Sequence, residues 1–145
     1  MTVTVEKAQF ATAELVTGLN RLLPQLSSSA EPLTSDDVEA MIHSDSTTLF
    51  VALDDATVVG TLTLVVFSIP TGQRAWIEDV VVDESSRGSG VGQQLTLAAV
   101  DEARLRGVRT IDLTSRPTRE AANALYVKLG FELRETNVYR FSIEN

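Results

Sequence analysis

The sequence contains no cysteine and only one histidine among its 145 residues. Without cysteine there is no disulfide framework, no thiolate metal site and no cysteine nucleophile. His43 stands alone, so neither a histidine-dependent triad nor a histidine metal cluster can be built around it. We therefore expect no metal site and no covalent enzyme intermediate.

Long apolar runs and basic residues are also scarce. The longest apolar stretch, Leu62 to Phe67, is interrupted by Thr63 and is too short to span a bilayer. No charged region followed by an apolar region opens the chain, as a secretory signal would require. The net charge of −8 argues against nucleic acid binding. We expect a cytoplasmic protein that binds neither membrane nor nucleic acid.

The acidic charge is unevenly distributed. Residues 1–73 carry a balance of −7, whereas residues 74–145 carry a balance of −1. The second half is therefore where an anionic ligand would be tolerated, with ordinary surface charge in both halves as the alternative.

Hydrophobic periodicity divides the chain into short strands and helices, with no internal repeat and no linker long enough to separate domains. The expected helices are Ala13–Leu26, Thr34 to about His43, Val91–Arg106 and Glu120–Leu129. The expected strands are Thr2–Val5, Thr48–Leu53, Val58–Phe67, Trp76–Val82, Val108–Leu113, Phe131–Leu133 and Val138–Ile143. This order, β-α-α-β-β-β-α-β-α-β-β, predicts a single α/β (α+β) domain over residues 1–145. Its mixed, mostly antiparallel sheet would have about seven strands flanked by helices.

The strongest local feature is the segment from Val80 to Gly92, in which a buried strand leads into a glycine-rich loop that opens a helix. Glycines let a ligand approach the backbone closely, and amides at a helix start carry the positive end of the helix dipole. Such a loop can bind phosphate without a lysine, although glycines before a helix can also be purely structural. A P-loop is excluded because no Gly-Lys-Ser/Thr is present, and a Rossmann fingerprint would need glycine in place of Gln93.

The six residues from Arg87 to Gly92 fit the pattern Arg/Gln-x-x-Gly-x-Gly/Ala. They resemble the pyrophosphate-binding motif of the GNAT superfamily of N-acetyltransferases. The resemblance extends from Val3 to Ile143, because the order of elements is also that of the superfamily. It implies the GNAT fold, acetyl-CoA as cosubstrate and no metal. It also implies that the sheet opens beside the strand before the loop, and that the pantetheine arm lies in this gap.

The resemblance also assigns cofactor-binding residues. Backbone groups of Val80 and Val82, on either side of Val81, would pair with pantetheine. The pyrophosphate would be held by the amides of Arg87, Gly88, Ser89, Gly90, Val91, Gly92 and Gln93. The side chain of Arg87 can be structural instead, since the motif uses its backbone as much as its charge.

A second segment, from Asn123 to Phe131, resembles the superfamily's late motif, whose helix residues reach the cofactor and the leaving thiol. A spacing of three residues puts Asn123 and Tyr126 on one helix face. When acetyl transfer expels the CoA thiolate, a nearby phenol can protonate the sulfur. The resemblance therefore predicts that Asn123 binds the cofactor and that Tyr126 is the general acid. The alternative is a tyrosine that only packs.

Two adjacent carboxylates, Glu78 and Asp79, lie on the strand before the loop and are candidates for the general base. An amine acceptor is protonated at neutral pH and must lose a proton before it attacks. Alternation places Glu78 on the face of Val80 and Val82, and Asp79 on the other face, although a bulge would swap them. We predict Glu78 as the base and Asp79 as second choice. A carboxylate that only binds substrate or faces solvent is the alternative. The surrounding stretch also resembles glucosamine-phosphate N-acetyltransferases, without a comparable likeness in the first half of the chain.

Three further residues are left with open roles. Arg116 and Arg119 could contact the 3′-phosphate of CoA or an anionic acceptor, or they could be solvated. Trp76 could pack under the sheet or line the acceptor cleft.

Together with these features, the resemblance implies direct acetyl transfer from acetyl-CoA to a primary amine in a ternary complex, and we expect a small molecule as acceptor. A peptide or protein acetyltransferase and a non-catalytic acyl-CoA-binding regulator are the alternatives. A homodimer is compatible with the sequence.

Overall fold

A computed structural model describes residues 2–143, which form two compact units, residues 2–114 and residues 115–143. The helices are α1 (Ala13–Leu26), α2 (Ser35–Ile42), α3 (Val91–Leu105) and α4 (Glu120–Lys128). The strands are β1 (Val3–Lys7), β2 (Thr47–Asp54), β3 (Thr57–Ile69), β4 (Gly72–Val82) and β5 (Thr110–Asp112). In the described part of the chain, no helix is long and apolar enough to cross a membrane.

The first unit is built on one five-stranded sheet in the order β1-β2-β3-β4-β5. Strands β1 to β4 are antiparallel neighbours, and β5 runs parallel to β4. Helix α3 connects β4 to β5, as a parallel pair requires a crossover. The predicted mixed, mostly antiparallel α/β sheet is therefore confirmed.

Helices cover the sheet of the first unit because its strands alternate between two apolar faces. One core cluster joins helices α1 and α2 to strands β2, β3 and β4. Its buried members are Leu15, Leu19, Leu22, Val38, Leu49, Val51, Val58 and Val81. Helix α3 contacts β2, β3 and β4 and contributes the buried Val91, Leu95 and Ala99.

Gly60 of β3 sets how closely the start of α3 approaches the sheet. A Cβ atom at this position would lie 3.0 Å from Val91 and 3.1 Å from Leu95. A larger residue would therefore push the first turn of α3 away from the sheet. This close approach fixes the end of the glycine-rich loop, which leads directly into that turn.

Local capping signals explain where the first two helices begin. The Thr12 hydroxyl accepts a hydrogen bond from Leu15 N at 3.1 Å and caps α1. Thr34 and Asp37 form the reciprocal capping box of α2, which confirms the start predicted from their spacing. Helix α1 ends at Leu26, as expected, but it continues through Pro24, a residue that the sequence predicts to distort or end the helix.

The second unit contains α4 but no strand among its described residues, so the prediction of two final strands is wrong. The segments Phe131–Leu133 and Val138–Ile143 have the composition of strands, yet neither has a strand partner in the described residues. Strand-like composition forms a strand only where a ladder and a covering layer exist. The observed sheet therefore has five strands and not seven. The assignment of one domain to residues 1–145 stays a prediction.

Candidate active site

Strands β4 and β5 separate beside the predicted pantetheine position. They pair only over Arg74–Trp76 and Thr110–Asp112, whereas β4 continues to Val82. Beyond Trp76, no residue of β4 pairs with β5 in the described chain. The backbone of Val80, Val81 and Val82 thus borders an opening on the β5 side, while β3 pairs with Val81 and Val82 on the other.

A bulge interrupts β4 at the two candidate base residues. Thr63 of β3 pairs with Glu78, and Thr61 pairs with Val81, so β4 has one residue more than β3 over this stretch. Asp79 takes up the extra residue with a φ of +48°, a left-handed conformation that aspartate tolerates better than most residues. Bulges redirect side chains and are frequent beside active sites.

This is the bulge that the alternation argument left open, so alternation alone does not assign Glu78 and Asp79 to faces of the sheet. Both side chains are exposed, between the buried residues Ile77 and Val81. The strand periodicity therefore cannot rank the two carboxylates as bases. Trp76 is half-buried and pairs with Asp112 at the last step of the β4–β5 ladder, where the strands separate.

The glycine-rich loop leads from β4 to α3 with an exposed backbone. Gly88 and Gly90 have φ values of +83° and +85°, and apart from the adjoining chain no atom of the described residues lies within 4 Å of a Cβ built on either. Gly90 is the N-cap of α3 and provides no side-chain cap. Because the first N–H groups of a helix lack intrahelical partners, this end suits an anion. The side of the loop next to these two glycines is therefore open.

Side chains within the loop hold its shape. The Ser89 hydroxyl donates to the carbonyl oxygen of Ser86, which is buried. The Arg87 side chain donates from Nε to the carbonyl oxygen of Val82 at 3.2 Å. This hydrogen bond of Arg87 closes the turn after β4.

The start of the loop is also bound to α1, a connection that the sequence reasoning missed. Arg21 of α1 forms an ion pair with Asp83, and Gln25 hydrogen-bonds Asp83 and Glu84. The partners are 62 residues apart for Arg21 and Asp83, so no local spacing signals the contact. Only the i, i+4 placement of two long polar residues on α1 could have pointed to it.

Tyr126 is buried in the second unit, with 7% of its surface exposed. Its ring meets Phe131 edge-on, with centroids 5.7 Å apart, and its carbonyl oxygen accepts from Phe131 N at 2.9 Å. Burial raises the pKa of Tyr126 above its ordinary value of 10.0, while the charge of Arg119 acts in the opposite direction. The phenol is therefore kept protonated at neutral pH.

Asn123 lies three residues before Tyr126 on α4, and its side chain is used within the second unit. Its Nδ2 donates to the carbonyl oxygen of Arg116 at 2.9 Å, which fastens the segment before α4 to the helix. Arg116 and Arg119 are exposed. Ser115, at the start of this segment, has a buried hydroxyl with no hydrogen-bond partner among the described residues.

Comparison with known proteins adds to this geometry. A profile described as the acetyltransferase (GNAT) family matches residues 17–131. N-alpha-acetyltransferase 30 of Schizosaccharomyces pombe is 29% identical over 114 residues, which are 77% of this chain and 75% of that protein.

A second relative is a mycothiol acetyltransferase of Amycolatopsis mediterranei, 44% identical over 59 residues, which are 41% of this chain. The match covers 20% of that protein, so the chain spans about a fifth of the length of this relative. An aminoglycoside acetyltransferase from an uncultured soil metagenomic sample shares the fold. Its TM-score is 0.85 at 19% identity, over 99% of this chain and 97% of that one.

Proposed function

Since the chain belongs to the acetyltransferase (GNAT) family, a class of N-acetyltransferases, we propose that it transfers an acetyl group from acetyl-CoA to a primary amine. The observation that carries the proposal is the opening between β4 and β5 beside the bulged end of β4. At this end β4 leads into the glycine loop, and the helix that follows, α3, has no side-chain cap at its N-terminus. One opening that offers unpaired strand backbone and helix-start amides in sequence suits a ligand with an amide-containing arm and a diphosphate.

Acetyl-CoA would supply the activated thioester, and this chain would hold it through its backbone. Val80 and Val82, on either side of Val81, would pair with the pantetheine arm along the opening. The amides of residues 88–93 would bind the diphosphate, because the Arg87 N–H, also assigned to it by the sequence, donates to the Glu84 carbonyl oxygen at 3.4 Å. Gly88 and Gly90 support this role because the space beside their α-carbons is open.

In the proposed reaction the amine nitrogen bonds to the carbonyl carbon as the carbon–sulfur bond breaks. Glu78 takes the proton that the amine must lose, and the Val80 N–H donates to the carbonyl oxygen as negative charge develops there. Tyr126 gives its proton to the departing sulfur. Transfer is direct, since the chain has no cysteine to form a thioester of its own.

Two observations support the acid and base roles. The Tyr126 phenol is protonated at neutral pH, as an ordinary tyrosine is, and this is the form that a proton donor needs. Glu78 is exposed at a bulge and is thus accessible to an acceptor. Asp79 remains the second candidate for the base.

The acceptor class has two candidates. A small-molecule amine is the first, as the sequence predicted. A peptide N-terminus is the second, and it is favoured by the match with N-alpha-acetyltransferase 30 over 77% of the chain. The acidic first half, with a balance of −7 over residues 1–73, would attract a basic peptide. The cytoplasmic location, a homodimer and the absence of nucleic acid binding stay predictions.

The test is a paired measurement of CoA binding and thiol release. CoA affinity is measured by calorimetry, and release of free thiol from acetyl-CoA is followed with small amines and with short peptides that have free N-termini. We expect CoA binding and amine-dependent thiol release with at least one acceptor. Binding without release for any acceptor would favour the non-catalytic regulator, and no CoA binding would overturn the proposal.

A further inference from the structure

We propose that Arg21, Gln25 and Asp83 form a positioning cluster that holds the entrance of the glycine loop in its diphosphate-binding conformation. This inference rests on the proposed function of that loop. None of the three residues belongs to the loop motif, and two of them lie on α1.

Asp83 is the residue that connects the end of β4 to the glycine loop. Its backbone N–H donates to the carbonyl oxygen of Val59 at 2.8 Å and continues the pairing with β3. Its carboxylate accepts from Ser85 N at 3.4 Å and caps the 3-10 turn Glu84–Ser86. The orientation of Asp83 therefore determines the direction in which the chain leaves the sheet.

Two side chains of helix α1, one turn apart, hydrogen-bond the chain at Asp83. Arg21 donates from Nη1 to Asp83 Oδ2 and from Nη2 to the carbonyl oxygen of Val58. Gln25 donates from Nε2 to Asp83 Oδ1 at 3.4 Å, and its Oε1 accepts from Glu84 N at 3.0 Å. Both carboxylate oxygens of Asp83 are thus occupied, and the next backbone amide is held as well.

The ion pair is partly shielded from water, which distinguishes it from an ordinary surface contact. The Asp83 side chain is 14% exposed and that of Arg21 is 42% exposed. The pair Arg104–Asp101 on α3 is 75% and 72% exposed. Arg21 holds the pKa of Asp83 below its ordinary value of 3.8, so the carboxylate is charged at neutral pH. Screening by solvent weakens the exposed pair more than this one.

Hydrogen bonds within the loop connect Asp83 to the residues before Gly90. After the capped turn, Ser86 accepts from Ser89, and Arg87 reaches back to Val82. A shift at Asp83 would therefore displace the amides that are aimed at the diphosphate. The expected consequence is weaker binding of the nucleotide part, with the chemical step unchanged once the site is saturated.

The experiment compares the wild-type protein with Arg21→Gln, Asp83→Asn and the double variant by calorimetry. The probes are CoA and ADP, which carries a diphosphate but no pantetheine arm. We expect each single variant to bind CoA about tenfold more weakly, within the usual range of coupling between sites. ADP should lose the same factor. The double variant should lose no more than either single one, because the same contact is already broken.

Lys7→Gln is the matched control. It breaks another long-range ion pair of the first unit, Lys7–Glu102 at 2.7 Å, away from the loop. We expect unchanged CoA and ADP affinity for this variant. Circular dichroism and urea unfolding verify that every variant is folded. For the Arg21 and Asp83 variants, KM for acetyl-CoA should rise while kcat at saturation stays within about twofold.

Arg21→Lys serves as the conservative variant. Lysine keeps the charge opposite Asp83 but lacks the fork that reaches Val58 as well, so we expect an intermediate loss of affinity. Unchanged CoA affinity in folded Arg21→Gln and Asp83→Asn would overturn the inference, as would an equal loss in Lys7→Gln. Those results would leave the proposed function intact, whereas failure of the wild-type protein to bind CoA would overturn both.

Discussion

The two units hold their proposed site residues by different means. In the first unit, the strand opening, the bulge and the glycine loop are backbone features, fixed by the β3 ladder and by Arg21. In the second unit, Tyr126 is a single side chain, held by burial and by Phe131. A site shaped by backbone should respond to changes of conformation, and a site made of one functional group should respond to loss of that group.

The largest expected effect is in the second unit. Tyr126→Phe removes the phenol oxygen but keeps the edge-on contact with Phe131. Because general acid catalysis contributes about 10²-fold or more, we expect kcat to fall by about that factor while CoA affinity is unchanged. Steady-state thiol release and CoA calorimetry measure the two quantities. An unchanged kcat would show that Tyr126 only packs.

The pH dependence of the wild-type enzyme sharpens the same assignment. Since burial raises the pKa of Tyr126 above its ordinary value of 10.0, ionisation of this phenol should not lower kcat between neutral pH and about pH 9. The raised pKa of Tyr126 also makes the free energy of unfolding depend on pH. Its contribution to stability is present below pH 10.0 and is lost as the pH rises through the folded-state value. A kcat profile from neutral pH to about pH 9 tests the first statement, and urea unfolding carried to pH values above 10.0 tests the second.

The next effect is in the first unit, at the bulge. Glu78→Gln removes a base without changing side-chain size, and we expect kcat to fall about tenfold or more at neutral pH. The loss should be recovered at high pH, where free amine accumulates without a base. Asp79→Asn is the matched control at the neighbouring position. An equal loss at every pH would indicate a binding or structural role for Glu78, and a larger loss for Asp79→Asn would transfer the role to Asp79.

The sequence predicts the features that depend on local signals and misses those that depend on contacts between distant residues. Local signals are sufficient for the four helices, including the Thr34–Asp37 box, and for the glycine loop. The final two strands fail because their residues are strand-like in composition but have no partner strand among the described residues. Alternation likewise carries no information about an added residue, so it cannot assign Glu78 and Asp79 to faces of the sheet.

The contact between Arg21 and Asp83 was beyond sequence reasoning for another reason. It depends on how α1 lies across the ends of β3 and β4, which is determined by packing of the whole core. Local periodicity identifies the helix and the strand separately. It does not identify which of their polar side chains meet.

A smaller effect tests the backbone nature of the loop. Gly90→Ala adds a methyl group at a φ of +85°, beside the open space proposed for the diphosphate. Gly107→Ala makes the same change at a φ of +74°, also in open space, after α3. Both should lose about 1 kcal/mol of stability from the left-handed conformation. Only Gly90→Ala should weaken CoA binding, by about tenfold. Equal CoA affinity in the two variants would argue against the loop as the diphosphate site.

The smallest effect compares two buried hydroxyls, one in each unit. Thr61 in β3 donates to the carbonyl oxygen of Phe50 at 2.9 Å, whereas the Ser115 hydroxyl has no partner among the described residues. Thr61→Val should lower the free energy of unfolding by about 1 kcal/mol, because a satisfied bond is lost and its acceptor stays buried. Ser115→Ala should raise it by up to about 1 kcal/mol, because an unpaired buried group is removed.

Urea unfolding of the two variants measures these opposite signs, and CoA calorimetry adds a second readout. If Ser115→Ala instead weakens CoA binding without loss of stability, the Ser115 hydroxyl takes part in ligand binding. If both variants are destabilised alike, the Ser115 hydroxyl has a hydrogen-bond partner in solution. The two units then do not differ in how they satisfy buried hydroxyls.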